Sequence, residues 1–399
     1  MSGVEPPRSF DLGVLLAVNA VADAYLVYDG PGCNFSRGLA VHGRHDWGST
    51  LLSCSGRHRV QYGGIGQGPS ARGRTTGLQE VLQEVVKFPG AGPVLLRGRL
   101  SLRERKGLPV MPLGVPSGRA CWLEGYAAVL ERLAQGLRLC GGAARRENVA
   151  LVGHFMDRNE GEHRGNVAEF SRIFRALGLR LICVWPSGGT SGDLAEVRGA
   201  GTVVSLPYGR RAARTLARRL GAELIETGLP FGIAGTRRWI EGIAAAVGKR
   251  RQGEAFIRGE QARLAALLEK AIPSLTGKMI RFGGDPVLAA AFPAFCSETG
   301  LSFGGYRRAG CSRHLVPHRE SPRGIETEAD LFIAGADVSA GPGLWRARME
   351  FGYPSPSFHA LRDEPHLGFE GAVSFLQRCL HALARAQPST MPARSSSSS

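Results

Sequence analysis

A chain of 399 residues with 43% hydrophobic and 21% charged residues has an ordinary globular composition and is too long for one core, so two or three domains are expected. Its net charge is +16, but only five of its 50 basic residues are Lys and the Arg residues are spread along the chain; that argues for a compositional bias and against nucleic acid as a partner. Eight cysteines with no CxxC pair exclude a disulfide scaffold and fit a reducing cytoplasm.

The first periodic stretch, "LGVLLAVNAVADA" at 12–24, has the look of a signal-peptide core. Its flank "MSGVEPPRSF" carries one Arg and one Glu, a weak positive region, so the stretch is expected to be an amphipathic-to-buried helix. No apolar run reaches the roughly 18 residues of a membrane span. Strands are expected near 24–28, 93–97 and 109–113, joined by helices near 75–87 and 119–136. "NVALVGH" (148–154) reads as a strand and "NVAEFSRIFRALG" (166–178) as a helix with Val167, Phe170, Ile173, Phe174 and Leu177 on one side. "LRLICVW" (179–185) is the next strand, "SGDLAEVRGA" a short helix and "TVVSLP" (202–207) a third strand. The helix "RRAARTLARRLG" leads through "AELIETGLPFGIAGTRRWIEGIAAAVG" to a connector helix over about 251–272.

The pattern then restarts with the strand "GKMIRFGG" (277–284), the helix "DPVLAAAFPAFCSETG", the strand "LSFGGY", the strand "ADLFIAGA" (329–336) and a closing helix at 369–386. Short β-rich runs followed by turns and helices are the signature of parallel βαβ units. The expected organisation is therefore three α/β units over 1–145, 146–274 and 275–386, with a low-complexity, disordered tail at 387–399. Parallel sheets bind ligands at the carboxyl ends of their strands, where Cys33, Gly283-Gly284 and the 229–236 turn fall.

Several chemistries are absent. The chain has no GxxxxGK[ST] phosphate loop, no GxSxG elbow and no HExxH. "GGIGQGPSARG" (63–73) has glycines without the GxGxxG spacing and reads as a surface loop. "HFMDRNEGEH" (154–163) gathers two His and three acids that could hold a metal, though it sits in a strand-to-helix loop, where polar residues are the default. Cys140, Cys183, Cys296 and Cys379 lie in apolar periodic segments and are expected to be buried thiols. Cys33 and Cys54 differ. Cys33 follows the turn Gly30-Pro31-Gly32, where glycines let the backbone approach an iron–sulfur cluster and N–H groups face its sulfides. Two thiols cannot fill the four positions of a cubane, and a lone thiol at a turn can equally be inert.

The order of "YDGPGCNFSRG", "VQYGG", "LPVMPLGVPSG…WLEGY", "ENVALVGHF", "LPFGIAGTRRWI", "GKMIRFGGDPVLAAAFPAFCSETGL" and "YPSPSFHALRDEPHLGFEGAVSFL" resembles the nitrogenase component 1 family. That family includes the nitrogenase molybdenum–iron subunits, their cofactor-assembly homologues, the dark-operative protochlorophyllide and chlorophyllide reductases and the nickel-sirohydrochlorin reductive cyclase. The likeness spans roughly residues 10 to 385. It implies an α/β fold of three Rossmann-like domains with mostly parallel sheets. It also implies pairing with a homologous subunit or a second copy, with an iron–sulfur cluster, expected to be [4Fe-4S], shared across the interface. Electrons would come singly from a separate ATP-hydrolysing iron protein, so ATP would bind only there, in keeping with the missing phosphate loop.

By the same resemblance Cys33 is a cluster ligand, Cys54 a second one, and Gly30 and Gly32 shape the turn; His359 and His366 could face a small-molecule substrate. Two departures stand out. The family's third cysteine has no counterpart in "GPVLLRGRLSLRERKGLPVMPL", and "VVSLPYGRR" lacks the nitrogenase cofactor cysteine, which argues against dinitrogen reduction. The expected function is a nitrogenase-like oxidoreductase subunit acting on a tetrapyrrole or other small substrate. The alternatives are a non-catalytic assembly scaffold or partner subunit, and an α/β protein that binds a metabolite.

Overall fold

The computed structural model describes residues 10–29, 58–63, 72–98, 110–114, 120–140, 142–155, 162–308, 328–335, 338, 345–352 and 362–385. The chain opens with helix α1 (Phe10–Asn19), strands β1 (Tyr25–Asp29) and β2 (Val60–Gly63), helix α2 (Arg72–Val85), strands β3 (Val94–Arg97) and β4 (Val110–Leu113), and helix α3 (Trp122–Gly136). The middle stretch holds β5 (Arg145–Val152), α4 (Glu162–Ala176), β6 (Arg180–Trp185), α5 (Ser191–Ala195), β7 (Ala200–Ser205), α6 (Arg210–Leu220), β8 (Glu223–Glu226), α7 (Gly232–Ala246) and the long α8 (Arg250–Leu275). The last contains β9 (Met279–Gly284), α9 (Pro286–Ala289), α10 (Phe292–Thr299), β10 (Ser302–Arg308), β11 (Ala329–Ala334), β12 (Trp345–Glu350) and α11 (Gly368–Ala384).

Among the described residues the strands form three four-stranded parallel sheets, ordered β2-β1-β3-β4, β6-β5-β7-β8 and β10-β9-β11-β12. Each repeats one plan: the first strand lies inside, with the second on one side and the third on the other. The chain therefore reverses its direction of progress between first and third strands, and this opens a crevice beyond their carboxyl ends. β5 shows why such strands read as unbroken apolar runs. Leu151 pairs with Val184 on one side and Val204 on the other, and Val149 through Val152 are all fully buried because helices cover both faces.

Helix α1 is buried along its whole length except at Asp11, whose carboxylate is met at 2.8 Å by Arg97 of β3. It crosses α3 with glycine backbone against backbone. A Cβ on Gly13 would run into the Trp122 carbonyl, and one on Gly125 into the Phe10 carbonyl. The carboxyl end of α1 is closed by Arg59, fully buried, which donates from one guanidinium nitrogen to the carbonyls of Val18, Val21 and Ala24 at 2.8–3.2 Å and from the other to Asn19 Oδ1. A guanidinium at a helix carboxyl terminus satisfies orphan carbonyls and meets the negative end of the helix dipole.

The structure departs from the sequence reading in four places. "DPVLAAAFPAFCSETG" forms two helices, α9 and α10, with Pro293 in the first turn of the second, where its missing N–H costs nothing. β8 and β12 are strands that periodicity does not announce. β8 buries only Ile225, and β12 alternates buried Ala347 and Met349 with outward Arg346 and Arg348. "VQYG", quoted above only as a motif, is strand β2. Cys140 is exposed, because α3 ends at Gly136 and the chain has turned outward before the cysteine. The expected tail at 387–399 lies outside the described residues. Among the described residues no helix is long and apolar enough to cross a membrane.

Candidate functional site

The carboxyl ends of the second and third sheets face one another, and the loops that leave them bring polar side chains together. β5 ends in Gly153-His154-Phe155. Gly153 sits at φ +89, and a Cβ there would strike the backbone of Gly209, so the loop after β5 and the loop after β7 touch backbone to backbone. Only glycine fits at such a contact. That approach brings His154 and Tyr208 to one cavity. His154 is held from below by Tyr126 of α3, whose hydroxyl donates to its carbonyl at 3.1 Å.

The first turn of α4 supplies Glu162, His163 and Asn166, all buried. The His163 ring packs edge-on to His154 at 5.4 Å between centroids, and the far side of His154 meets Phe170 at 5.8 Å. Reaching toward the third sheet, Asn166 holds the amino end of α11. Its Oδ1 accepts the backbone N–H groups of His366 and Leu367 at 2.9 and 3.0 Å, and its amide lies 3.2 Å from His366 Nδ1. Glu169, one turn on, accepts from the N–H groups of Phe369 and Glu370 and binds Arg172 through both oxygens. Tyr208, after β7, donates its hydroxyl to Asp285 Oδ2, while Asp285 Oδ1 caps α9 by accepting from Val287 N at 2.7 Å.

These groups enclose an inner cavity of roughly 60 Å³, lined by His154, Glu162, His163, Tyr208, Asp285 and His366 among others. Outside it lies a cleft of about 990 Å³. α3 contributes Leu123 and Ala127 to the cleft wall, α7 contributes Gly235, Arg238 and Gly242, and Ala290 and Ala291 follow α9. Arg210 and Arg211 stand on its α6 side; Arg210 lies 3.2 Å from Glu226, and Arg211 3.0 Å from Glu131. The floor is the turn after β8, where Trp239 donates to Thr227 Oγ1 at 3.0 Å. Tyr208 and Leu229 line both spaces.

Burial sets the protonation of the inner groups. It pulls His154 down to about 4 against a smaller opposing pull from the Pro186 backbone, and it pulls His366 down to about 3 with help from His154 and Arg378. His163 is pushed well below the usual histidine range by burial, then by His154 and His366. Glu162 moves the other way: burial raises it, Arg378 opposes, and Glu364 reinforces. Near neutral pH the imidazoles are therefore uncharged, each able to donate at one nitrogen and accept at the other.

Of the residues singled out from sequence, His366 lies at the inner cavity. Cys33, Cys54, Gly30, Gly32 and His359 lie outside the described residues; β1 ends at Asp29, one position before Gly30. Among the described cysteines, burial pushes the Cys183 and Cys296 thiols up to about 12 and Cys379 higher still, which keeps them protonated. Among the described residues no group of three or more His, Cys, Asp or Glu has the geometry to hold a metal ion; of "HFMDRNEGEH", residues 156–161 lie outside the described residues, and His154, Glu162 and His163 are a buried polar cluster. Sequence alone does not pick out Tyr208, Asp285 or Asn166. The one hint it offers is Gly283-Gly284 at a strand end, directly before Asp285.

A family model described as nitrogenase component 1 type oxidoreductase matches residues 98–303, which covers His154, Tyr208 and Asp285 but neither Cys33 nor His366. The chain is 26% identical over 245 residues to a light-independent protochlorophyllide reductase subunit of Methylobacterium radiotolerans, 55% of this chain and 45% of that protein. It is 37% identical over 133 residues to a different subunit of the same-named reductase, from Halorhodospira halophila, 33% of this chain and 31% of that protein. It thus spans less than half the length of these curated relatives in each match. A solved structure described as nitrogenase Cp1 at pH 6.5 superposes with a TM-score of 0.72 over 95% of this chain and 92% of that one, at 16% identity; that likeness speaks for the fold alone.

Proposed function

The chain belongs to the nitrogenase component 1 type oxidoreductase family, and on that premise we propose that it is one subunit of a nitrogenase-like reductase working in a reducing, cytoplasmic compartment. Its partners in this reading are a homologous subunit or a second copy of itself, and an ATP-dependent iron protein that delivers single electrons. Cys33, with Cys54 as the second ligand and Gly30 and Gly32 shaping the turn, would hold part of an iron–sulfur cluster of the [4Fe-4S] kind, the partner subunit completing it. Such a cluster supplies one-electron storage at low potential, tuned by thiolate count, sulfide hydrogen bonds and burial.

The observation that carries the reading is the cleft of about 990 Å³ at the carboxyl ends of the second and third sheets. It stands at the upper end of the roughly 300–1,000 Å³ typical of ligand sites. Its walls are mostly glycines, alanines and apolar side chains, and its rim carries Arg210, Arg211 and Arg238 beside Glu124 and Glu226. A flat macrocycle with carboxylate substituents suits such walls and such a rim, and the named relatives are protochlorophyllide reductase subunits; a tetrapyrrole is thus the proposed substrate class. His366 stands behind the cleft at the inner cavity, and His359 is assigned to the substrate side with it. The test is an anaerobic assay of the chain with a homologous subunit, iron protein, ATP and protochlorophyllide. ATP-dependent reduction supports the reading; no tetrapyrrole binding and no reduction overturns it.

The absence of a cysteine between Gly92 and Leu113, where the family carries its third, favours a second reading, an assembly scaffold or partner subunit. In that case the chain takes up a tetrapyrrole or cluster and releases it unchanged, with no dependence on ATP.

A further inference from the structure

Tyr208 stands in the wall between the two spaces. Its hydroxyl is bound to Asp285, and Asp285 lines the inner cavity but not the cleft. A group that reaches the outer space is thus hydrogen-bonded to an acid that faces the inner one. An independent observation comes from the cavity itself. His154 is 1% exposed and Glu162 6% exposed, and neither ring nitrogen of His154 nor Glu162 Oε2 makes a well-formed hydrogen bond among the described residues. Buried polar atoms placed in this way favour water as a partner. A space of roughly 60 Å³ is roomy enough to admit water that bridges them.

We propose that the inner cavity is a proton store for reduction in the outer cleft: Glu162 holds the proton, water beside His154 carries it to Asp285, and Tyr208 hands it to the substrate. This rests on the reductive reading above and adds the source of a proton. Reducing one unsaturated bond consumes two electrons and two protons. The electrons come singly from the iron protein; one proton comes through Tyr208 and the other from water in the open cleft. As the Tyr208 O–H bond breaks and the new bond from hydrogen to substrate forms, the phenolate oxygen regains a proton from Glu162 by way of water and Asp285. The net change within the protein is one carboxylic acid converted to a carboxylate, refilled from solvent. Tyr208 is the catalytic residue in this scheme, and Glu162 and Asp285 act through it. His154, His163, His366, Arg378 and Glu364 surround Glu162, and its burial favours the acid form that a store requires.

Infrared spectroscopy of the purified chain at neutral pH tests the store without any substrate. A protonated-carboxyl stretch that shifts in deuterium oxide, persists in Tyr208→Phe and disappears in Glu162→Gln is expected; its absence from the wild type overturns the proposal. The relay is tested in the assembled complex with protochlorophyllide. Tyr208→Phe should slow product formation by about a hundredfold, the usual scale of general acid catalysis, with the loss falling on kcat rather than KM and ATP hydrolysis by the iron protein unchanged. A Tyr208→Phe complex as fast as wild type sinks the relay alone. A wild-type complex that reduces nothing while the Glu162 band persists sinks the reductive reading instead.

Discussion

Keeping three imidazoles uncharged beside a carboxyl group has a thermodynamic consequence. His154 drops from 6.5 to about 4 on folding, so the folded state binds fewer protons than the unfolded one in that window. The stability linked to it is fully present above about 6.5 and is lost as pH falls toward 4, up to about 3 kcal/mol at 1.36 kcal/mol per unit. His163 and His366 act in the same direction. Glu162, raised by burial, acts in reverse: its contribution is present below its unfolded value and is lost as pH rises through its folded one. Urea titrations at pH 7.5, 6 and 5 should show the unfolding midpoint falling on acidification, and His154→Gln should flatten that slope; an unchanged slope would mean that His154 is not buried neutral. A second side chain with outsize weight is Arg59, which closes the end of α1 with four hydrogen bonds from full burial. Arg59→Met strands those acceptors, and a loss of about 3 kcal/mol in chemical denaturation is expected.

At the scale of elements, the crossing of α1 over α3 depends on two missing side chains. Gly13→Ala or Gly125→Ala puts a methyl group into a partner helix's carbonyl. Backbone cannot yield as a side-chain tip can, so either variant should cost about 3 kcal/mol or more and lower the melting temperature; an unaltered melt would refute the close approach. What can be read from sequence follows the same logic. Residues 149–152 of β5 and most of β7 and β9 are covered on both faces, so apolar residues and glycines dominate there and the strands announce themselves. β12 sits at a sheet edge, and Arg346 and Arg348 on its outward side erase the apolar run; β8, at another edge, is masked by Glu223 and Glu226. Cys140 reads as buried because its segment continues the apolar pattern of α3, yet the helix ends at Gly136 and the thiol is exposed. His366 is reachable through family motifs. Tyr208 and Asp285, 77 residues apart, carry no local mark, since their chemistry exists only where the loops of two sheets converge.

The whole molecule repeats one parallel sheet plan three times, and two of the crevices so formed face one another across the cleft. That arrangement leaves a wide cleft with a buried polar compartment behind it. In the function proposed above, electrons enter at Cys33. The most direct test of the account is the iron and sulfide content, with the visible absorption, of the wild-type chain and Cys33→Ser purified without oxygen together with a homologous subunit. The account predicts a brown, iron- and sulfide-containing wild-type complex that loses its colour and metal in Cys33→Ser. A colourless, iron-free wild type, or a Cys33→Ser complex with undiminished iron, would contradict it.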